Sequence, residues 1–200
     1  MEKTFNTANI EISHKVDYRD LKYPSLEFKT GNLLLFLPKN HQNETNIIKK
    51  YAKWIENKNL AIRTALKEAK NKKLELNRTD ESFRDLVKLI AEKTTSELNV
   101  TLNQIYFKKM KSKWGSCSKR KNLMINTTLK YLPTNLIEYV VFHEITHLKE
   151  KRHNENFWQM ISKKFENYGE MEKNLFIYWF LIQQKQKGGV FARYKDAGLE

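Results

Sequence analysis

His143-Glu144-Ile145-Thr146-His147-Leu148-Lys149-Glu150-Lys151-Arg152-His153 gathers three of the chain's five histidines into eleven residues, and its first five positions read H-E-x-x-H. Residues four apart on an α-helix lie one turn up on the same face, so His143 and His147 can both aim imidazole nitrogens at one cation. Glu144 sits roughly 100° around the helix from His143, which suits a group that takes a proton from metal-bound water rather than one that binds the metal. His153 needs a separate argument. An unbroken helix from His147 to His153 would turn through roughly 600° and leave the last imidazole pointing away, so a break is expected between about Lys149 and Arg152. A turn there swings His153 back to complete a three-histidine site for one zinc ion, with an open fourth position, the arrangement of catalytic rather than structural zinc. Asn154 then serves as N-cap of the next helix.

The pentapeptide alone is compatible with two histidines satisfied by hydrogen bonds on an amphipathic helix. Its flank weighs against that reading. Leu136-Ile137-Glu138-Tyr139-Val140-Val141-Phe142 is strongly apolar, so the helix is expected to be buried, where two unpaired imidazoles and a carboxylate would be costly without a metal.

Outward from the motif, the chain reads as an α+β protein. Ile10 to Tyr18 alternates apolar and polar, the period of a half-buried strand. Leu26 to Lys29 and Leu33 to Leu37 flank Thr30-Gly31-Asn32 as a hairpin, and Pro38 ends the second strand. From Thr45 the apolar spacing becomes helical, with an interruption expected near Asn57 to Asn59. The polar stretch Lys70 to Arg78 is the best internal boundary, and Thr79 caps a helix bearing Phe83, Leu86, Val87, Ile90 and Leu98. Short strands are expected at Gln104 to Lys109 and Asn122 to Leu129, after which Pro133 and Thr134 start the metal helix. Phe157, Trp158, Ile161 and Phe165 form one downstream helix face, with Trp158 backing His153, and Met171, Leu175, Tyr178, Trp179 and Ile182 form another. The organisation expected is residues 1–78 as N-terminal strands and connecting helix packed on a core, 79–186 as the core, and 187–200 as a tail.

Lys113-Trp114-Gly115-Ser116-Cys117-Ser118, Met124-Ile125-Asn126-Thr127-Thr128-Leu129, Leu132-Pro133, Tyr139 to Leu148, and His153-Asn154-Glu155-Asn156-Phe157-Trp158 together resemble the YgjP-like metallopeptidase family, relatives of the SprT and WLM zinc proteases. The resemblance covers most of the chain and is strongest from about residue 103 to residue 180. It implies a zincin-like core with a small antiparallel sheet packed on helices, plus an N-terminal β-hairpin region. It also implies a zinc-dependent hydrolase with His143, His147 and His153 as ligands and Glu144 as general base. Family members commonly have Leu-Ala where this chain has Ile145-Thr146. The histidine spacing also matches the metzincin proteases, but their sharp turn uses a glycine where this chain has Glu150, so a plain metzincin is disfavoured. In zincins an edge strand beside the active-site helix receives extended peptide by strand addition. Residues 111 to 118, with Lys113, Trp114, Gly115 and Ser116, are assigned that role; Trp114 as a plain core aromatic and Gly115 as a plain bulge is an equal alternative. Tyr168, Tyr139 or a group on the Trp114 loop would supply a second oxyanion donor.

The 200 residues are 40% hydrophobic, enough for a sizeable core. The lone Cys117 excludes an internal disulfide framework and fits a reducing compartment, and it reads as a small strand residue in preference to a zinc-binding thiolate. The N-terminus has no apolar signal core, and Phe176 to Ile182 is far too short an apolar run to span a bilayer. A cytoplasmic protein without membrane contact is expected. The 37 Lys and Arg against 23 Asp and Glu leave a net charge of +14, and Lys108, Lys109, Lys111, Lys113, Lys119, Arg120 and Lys121 crowd the strands around Trp114. A protein or peptide substrate is therefore joined by a nucleic acid or nucleotide as a second class of partner; a solvated lysine face is the bland reading of the same residues. Three functions follow: a zinc metallopeptidase, extending to DNA-associated proteins through its relatives; a metal-dependent nucleotide (UTP) pyrophosphatase, which no glycine-rich phosphate loop supports; and a nucleic-acid-binding module with structural zinc, which lacks an obvious fourth ligand.

Overall fold

A computed structural model describes residues 2–6, 11–29, 32–40 and 44–187. The chain divides into two compact units, Met1–Asn71 and Lys72–Glu200. In the first, strands β1 (Glu2–Asn6), β2 (Glu11–Arg19), β3 (Ser25–Lys29) and β4 (Asn32–Pro38) form one sheet in the order β1-β2-β4-β3. The expected hairpin is present, with Lys29 opposite Asn32, although Thr30 and Gly31 of its connection lie outside the described residues. It belongs to a larger sheet than a hairpin, because β4 also pairs in parallel with β2, and β2 pairs antiparallel with β1. The alternation of β4 turns Leu33, Leu35 and Leu37 into a core with Ile48 and Ile55 from the helices α1 (Glu44–Lys50) and α2 (Ala52–Ala69). The interruption expected at Asn57 to Asn59 falls instead at Tyr51. Burial of Ile55, Asn59, Ile62, Ala65 and Ala69 keeps one helical stripe running through the expected break, with Asn59 filling an apolar slot.

The second unit is built around one helix. Its elements are α3 (Asp80–Leu98), β5 (Gln104–Lys108), β6 (Gly115–Cys117), β7 (Asn122–Asn126), a 3-10 turn (Thr127–Tyr131), α4 (Thr134–Thr146), α5 (Glu155–Lys164) and α6 (Tyr168–Lys187). Thr79 caps α3 as expected, accepting from the Ser82 backbone N–H at 3.1 Å. Asn99, at φ 49°, ends that helix in the left-handed conformation. Helix α4 touches α3, β6, β7, α5 and α6, which explains why its apolar residues run all round it: Leu136, Ile137, Tyr139, Val140, Val141, Phe142, Ile145 and Thr146 are all buried. Thr146, the departure from the family's small apolar residue, satisfies its hydroxyl by donating to the Phe142 carbonyl at 2.8 Å.

The sheet of this unit has the order β5-β7-β6, antiparallel between β6 and β7 but parallel between β5 and β7. It is mixed because the chain leaves β5, forms the β6 arm, and returns alongside both. The β6–β7 turn carries no glycine; Lys121 adopts φ 58° there, held by an N–H to the Ser118 carbonyl at 2.9 Å and by the Asn103 N–H on its own carbonyl at 2.8 Å. Strand β7 stops at Asn126, short of the expected Leu129. The reason is the Asn126 side chain, wholly buried. Its Oδ1 accepts from Thr128 N–H at 3.1 Å, which starts the 3-10 turn, and from Met110 N–H at 3.3 Å. Its Nδ2 donates to the Met110 and Lys113 carbonyls at 3.1 and 2.8 Å, and its backbone N–H to the Trp114 carbonyl at 2.8 Å. One amide thus fixes the whole approach to β6. Asn126→Ala is expected to lower stability by about 3 kcal/mol, since several buried partners lose their bonds together, as a clear fall in Tm; a Tm within one degree of the native value would contradict this role.

Candidate metal centre

Helix α4 carries His143 and ends at Thr146, with His147 as its C-cap at φ −63° and ψ −12°. The end comes earlier than the break expected between Lys149 and Arg152. Leu148 N–H bonds to the Ile145 carbonyl at 2.9 Å, Lys149 and Glu150 N–H to the Thr146 carbonyl at 2.9 and 3.0 Å, and the chain then reverses. Asn154, extended at ψ −174°, accepts from Phe157 N–H at 3.1 Å and opens α5, as its sequence position predicts.

The reversal returns His153 to the helix. Its Nε2 lies 3.1 Å from Nε2 of His143 and 3.0 Å from Nε2 of His147. Among the described residues these three histidines form the group able to hold a metal ion. A tetrahedral ion bound at 2.0–2.1 Å spaces its nitrogens roughly 3.3 Å apart, so the three rings fit one zinc-sized ion with small adjustments. The tautomers fit as well. His147 Nδ1–H donates to the Glu150 carbonyl at 3.0 Å, and since a carbonyl can only accept, the proton sits on Nδ1 and Nε2 keeps its lone pair. Burial pushes His143 down to about 3, helped by His147 and His153, and burial also lowers His147. Both rings are thereby held neutral, the form that binds metal. Phe157 is fully buried beneath all three, with ring centroids 4.9, 4.7 and 4.7 Å from those of His143, His147 and His153. Trp158 stands behind His153 at 5.6 Å, as expected from the sequence.

Glu144 packs against β6. A Cβ on Gly115 would lie 2.8 Å from its Cγ and 3.2 Å from its Cδ, so glycine is the residue that lets the strand and this side chain share the space. Gly115 is therefore more than a bulge. Burial raises the Glu144 pKa to about 7, against the opposing pull of Lys113 and of the Cys117 backbone N–H bonded to the carboxylate, while Glu172 adds to the rise. Cys117, half-buried, is pushed up to about 11 by burial first and by Glu144 second, which keeps its thiol protonated.

Ser116 lies on β6 at the edge of the sheet, and Lys113 is exposed beside it. Trp114 packs edge-to-face on Trp179 of α6 at 4.8 Å, so its core role is real, whatever else it does. Of the two tyrosines, Tyr139 is fully buried and donates its hydroxyl to Glu172 Oε1 at 2.6 Å, and Tyr168 stacks on Trp158 at 5.1 Å. Sequence reading missed Glu172 and Asn126. Glu172 carries no local signal, because its partners are distant in sequence; Asn126 caps Thr128 locally, but its bonds to Met110 and Lys113 are long-range.

A family model described as YgjP-like, metallopeptidase domain, matches residues 27–177, three quarters of the chain. The chain belongs to this family. YgjP-like membership makes a peptidase the class of activity and protein or peptide the class of substrate, and with the histidine cluster it calls for a bound metal ion. Two solved structures are similar over part of the chain. One is the metallopeptidase zymogen abylysin of Pyrococcus abyssi, 22% identical, covering 44% of this chain and 90% of that one at a TM-score of 0.42. The other is the metallopeptidase zymogen jannalysin of Methanocaldococcus jannaschii, 29% identical, covering 44% and 92% at a TM-score of 0.41. No curated protein matches. No described helix of this YgjP-like chain is long and apolar enough to cross a membrane.

Two outcomes follow from the surroundings of Glu144. Gly115→Ala is expected to lower the Tm by several degrees, because the added Cβ would meet Glu144 Cγ at 2.8 Å and overpacking typically costs about 1–3 kcal/mol; a native Tm in that variant would contradict the packing argument. In the metal-free protein, a carboxyl raised from 4.5 to about 7 supports the fold fully below pH 4.5 and loses that support as the pH rises through 7. Glu144→Gln escapes this loss. Metal-free Glu144→Gln should therefore melt above the native protein at pH 8, with the gap shrinking toward pH 4.5; a gap that widens at low pH would reverse the sign.

Proposed function

We propose that this chain is a zinc-dependent peptidase in which His143, His147 and His153 hold one zinc ion and Glu144 is the general base. The observation that carries the reading is that His153 Nε2 lies 3.1 and 3.0 Å from the Nε2 atoms of His143 and His147, with all three ligand atoms within 4.8 Å of one another, and that the buried carboxyl of Glu144 follows His143 directly in α4. When bound, zinc supplies a water of near-neutral pKa and a Lewis acid for the scissile carbonyl.

The rest is done by the chain's own groups. Glu144, poised near pH 7 and steered by the Cys117 N–H, accepts a proton and then gives it to the leaving amine. Strand β6 is the sheet edge that touches α4, so an extended substrate adding to it would run past Glu144. Trp114, Gly115, Ser116 and Lys113 form that approach, with Asn126 fixing its course. Tyr139 is committed to Glu172, which leaves Tyr168, stacked on the Trp158 that backs His153, as the better-placed tyrosine for a second oxyanion donor.

Zinc-loaded protein assayed in parallel on unfolded casein and on UTP tests the reading. Cleavage of casein is expected, with chelator abolishing it and Glu144→Gln retaining zinc while losing at least about a hundredfold in kcat. Glu144-dependent hydrolysis of UTP without peptide cleavage would overturn the assignment in favour of a nucleotide pyrophosphatase.

A further inference from the structure

Each ring of the histidine cluster has a second nitrogen, and the three differ in what that nitrogen meets. His147 Nδ1 is settled on the Glu150 carbonyl at 3.0 Å. His153 is exposed to solvent, which can serve its ring. His143 is the exception, because its Nδ1 is buried and has no hydrogen-bond partner. Its nearest acceptor is Glu172 Oε1, 3.7 Å away, too far for a bond but on the correct side of the ring. That same oxygen is held by the Tyr139 hydroxyl at 2.6 Å, and Tyr139 sits one turn before His143 on α4 with its ring 6.0 Å from the imidazole.

The chemistry of metal binding makes this gap meaningful. A ring that gives its Nε2 lone pair to a cation must carry its proton on Nδ1, and coordination makes that N–H a stronger donor. A buried donor without an acceptor would be costly. A shift of less than an ångström along the long, half-exposed Glu172 side chain closes the distance. Glu172 stays outside the ligand set itself, since the metal-binding group comprises the three histidines and its carboxylate faces the opposite nitrogen of His143.

We infer that Glu172 is a positioning residue of the metal centre: it accepts the His143 Nδ1–H once the metal is bound, with Tyr139 holding the carboxylate in place from α4. The inference rests on the zinc reading above. It also gives α6 a part in the site that its apolar stripe did not announce, because this helix brings Glu172 to His143 and Trp179 to Trp114. Loss of such an orienting carboxylate typically weakens a metal site about 10–100-fold.

The test is zinc affinity, measured by chelator competition on the full chain, for the native protein, Glu172→Ala, Glu172→Gln and Tyr139→Phe. Glu172→Gln keeps the size of the side chain and an accepting oxygen for Tyr139 but loses the negative charge, so it separates a charge-assisted bond to His143 from a merely structural tie between α4 and α6. Both Glu172 variants are expected to bind zinc about 10–100-fold more weakly, and Tyr139→Phe is expected to move in the same direction by less. The His143 Nδ1–H proton, visible by NMR in the zinc-loaded native protein, is expected to vanish in Glu172→Ala and to lose its downfield shift in Glu172→Gln. A native protein that binds one zinc, with both Glu172 variants binding it within twofold as tightly, overturns this inference alone. A native protein that takes up no zinc overturns the zinc reading and this inference with it.

Discussion

His147 ends α4 and at the same time turns its Nε2 toward His153, and two hydrogen bonds through Glu150 achieve this. Its Nδ1–H on the Glu150 carbonyl fixes the ring and its tautomer, while the Glu150 N–H on the Thr146 carbonyl turns the chain away from the helix axis. Without that reversal His153 could not come within 3.0 Å of His147, and Asn154 could not start α5 where Phe157 slides beneath the three rings. The Phe157 contacts then return the favour. A fully buried aromatic packed against all three imidazoles limits how each can rotate, so the nitrogens are arranged before any ion arrives.

Around this reversal the unit places two kinds of constraint on two neighbouring residues. His143 is held neutral by burial and has a carboxylate of α6, Glu172, 3.7 Å from its Nδ1. Glu144, one residue on, is held against a strand that has no side chain at the point of contact. The helical offset of about 100° between adjacent residues sends the two side chains to different partners. The proposed division of labour, a ligand toward α5 and α6 and a base toward β6, is thus built into adjacent positions of α4.

Much of this was legible in the sequence wherever the cause was local. The four-residue histidine spacing, the need for a break before His153, the caps at Thr79 and Asn154, and the hairpin of Leu26 to Lys29 with Leu33 to Leu37 all depend on neighbours in the chain, and the structure carries each of them. Expectations moved where a long-range partner decided. Asn126 stopped β7 because its amide was needed by Met110 and Lys113. The sheet became mixed because β5 found β7 across the β6 arm. The helix ran through Asn57 to Asn59 because Asn59 could take a buried slot in the stripe. Glu172 carried no signal at all, since nothing in a sequence announces that residues 143 and 172 will meet.

The central claim is that three imidazoles and no sulfur hold one zinc ion, leaving a position open to solvent. X-ray absorption at the zinc edge on the zinc-loaded full chain tests it most directly. The account predicts one zinc per chain, a first shell of nitrogen and oxygen at about 2.0–2.1 Å with three imidazole signatures, and unchanged coordination after Cys117→Ser. A scatterer at about 2.3 Å, the zinc–sulfur distance, or a shell with fewer than three imidazoles would contradict it.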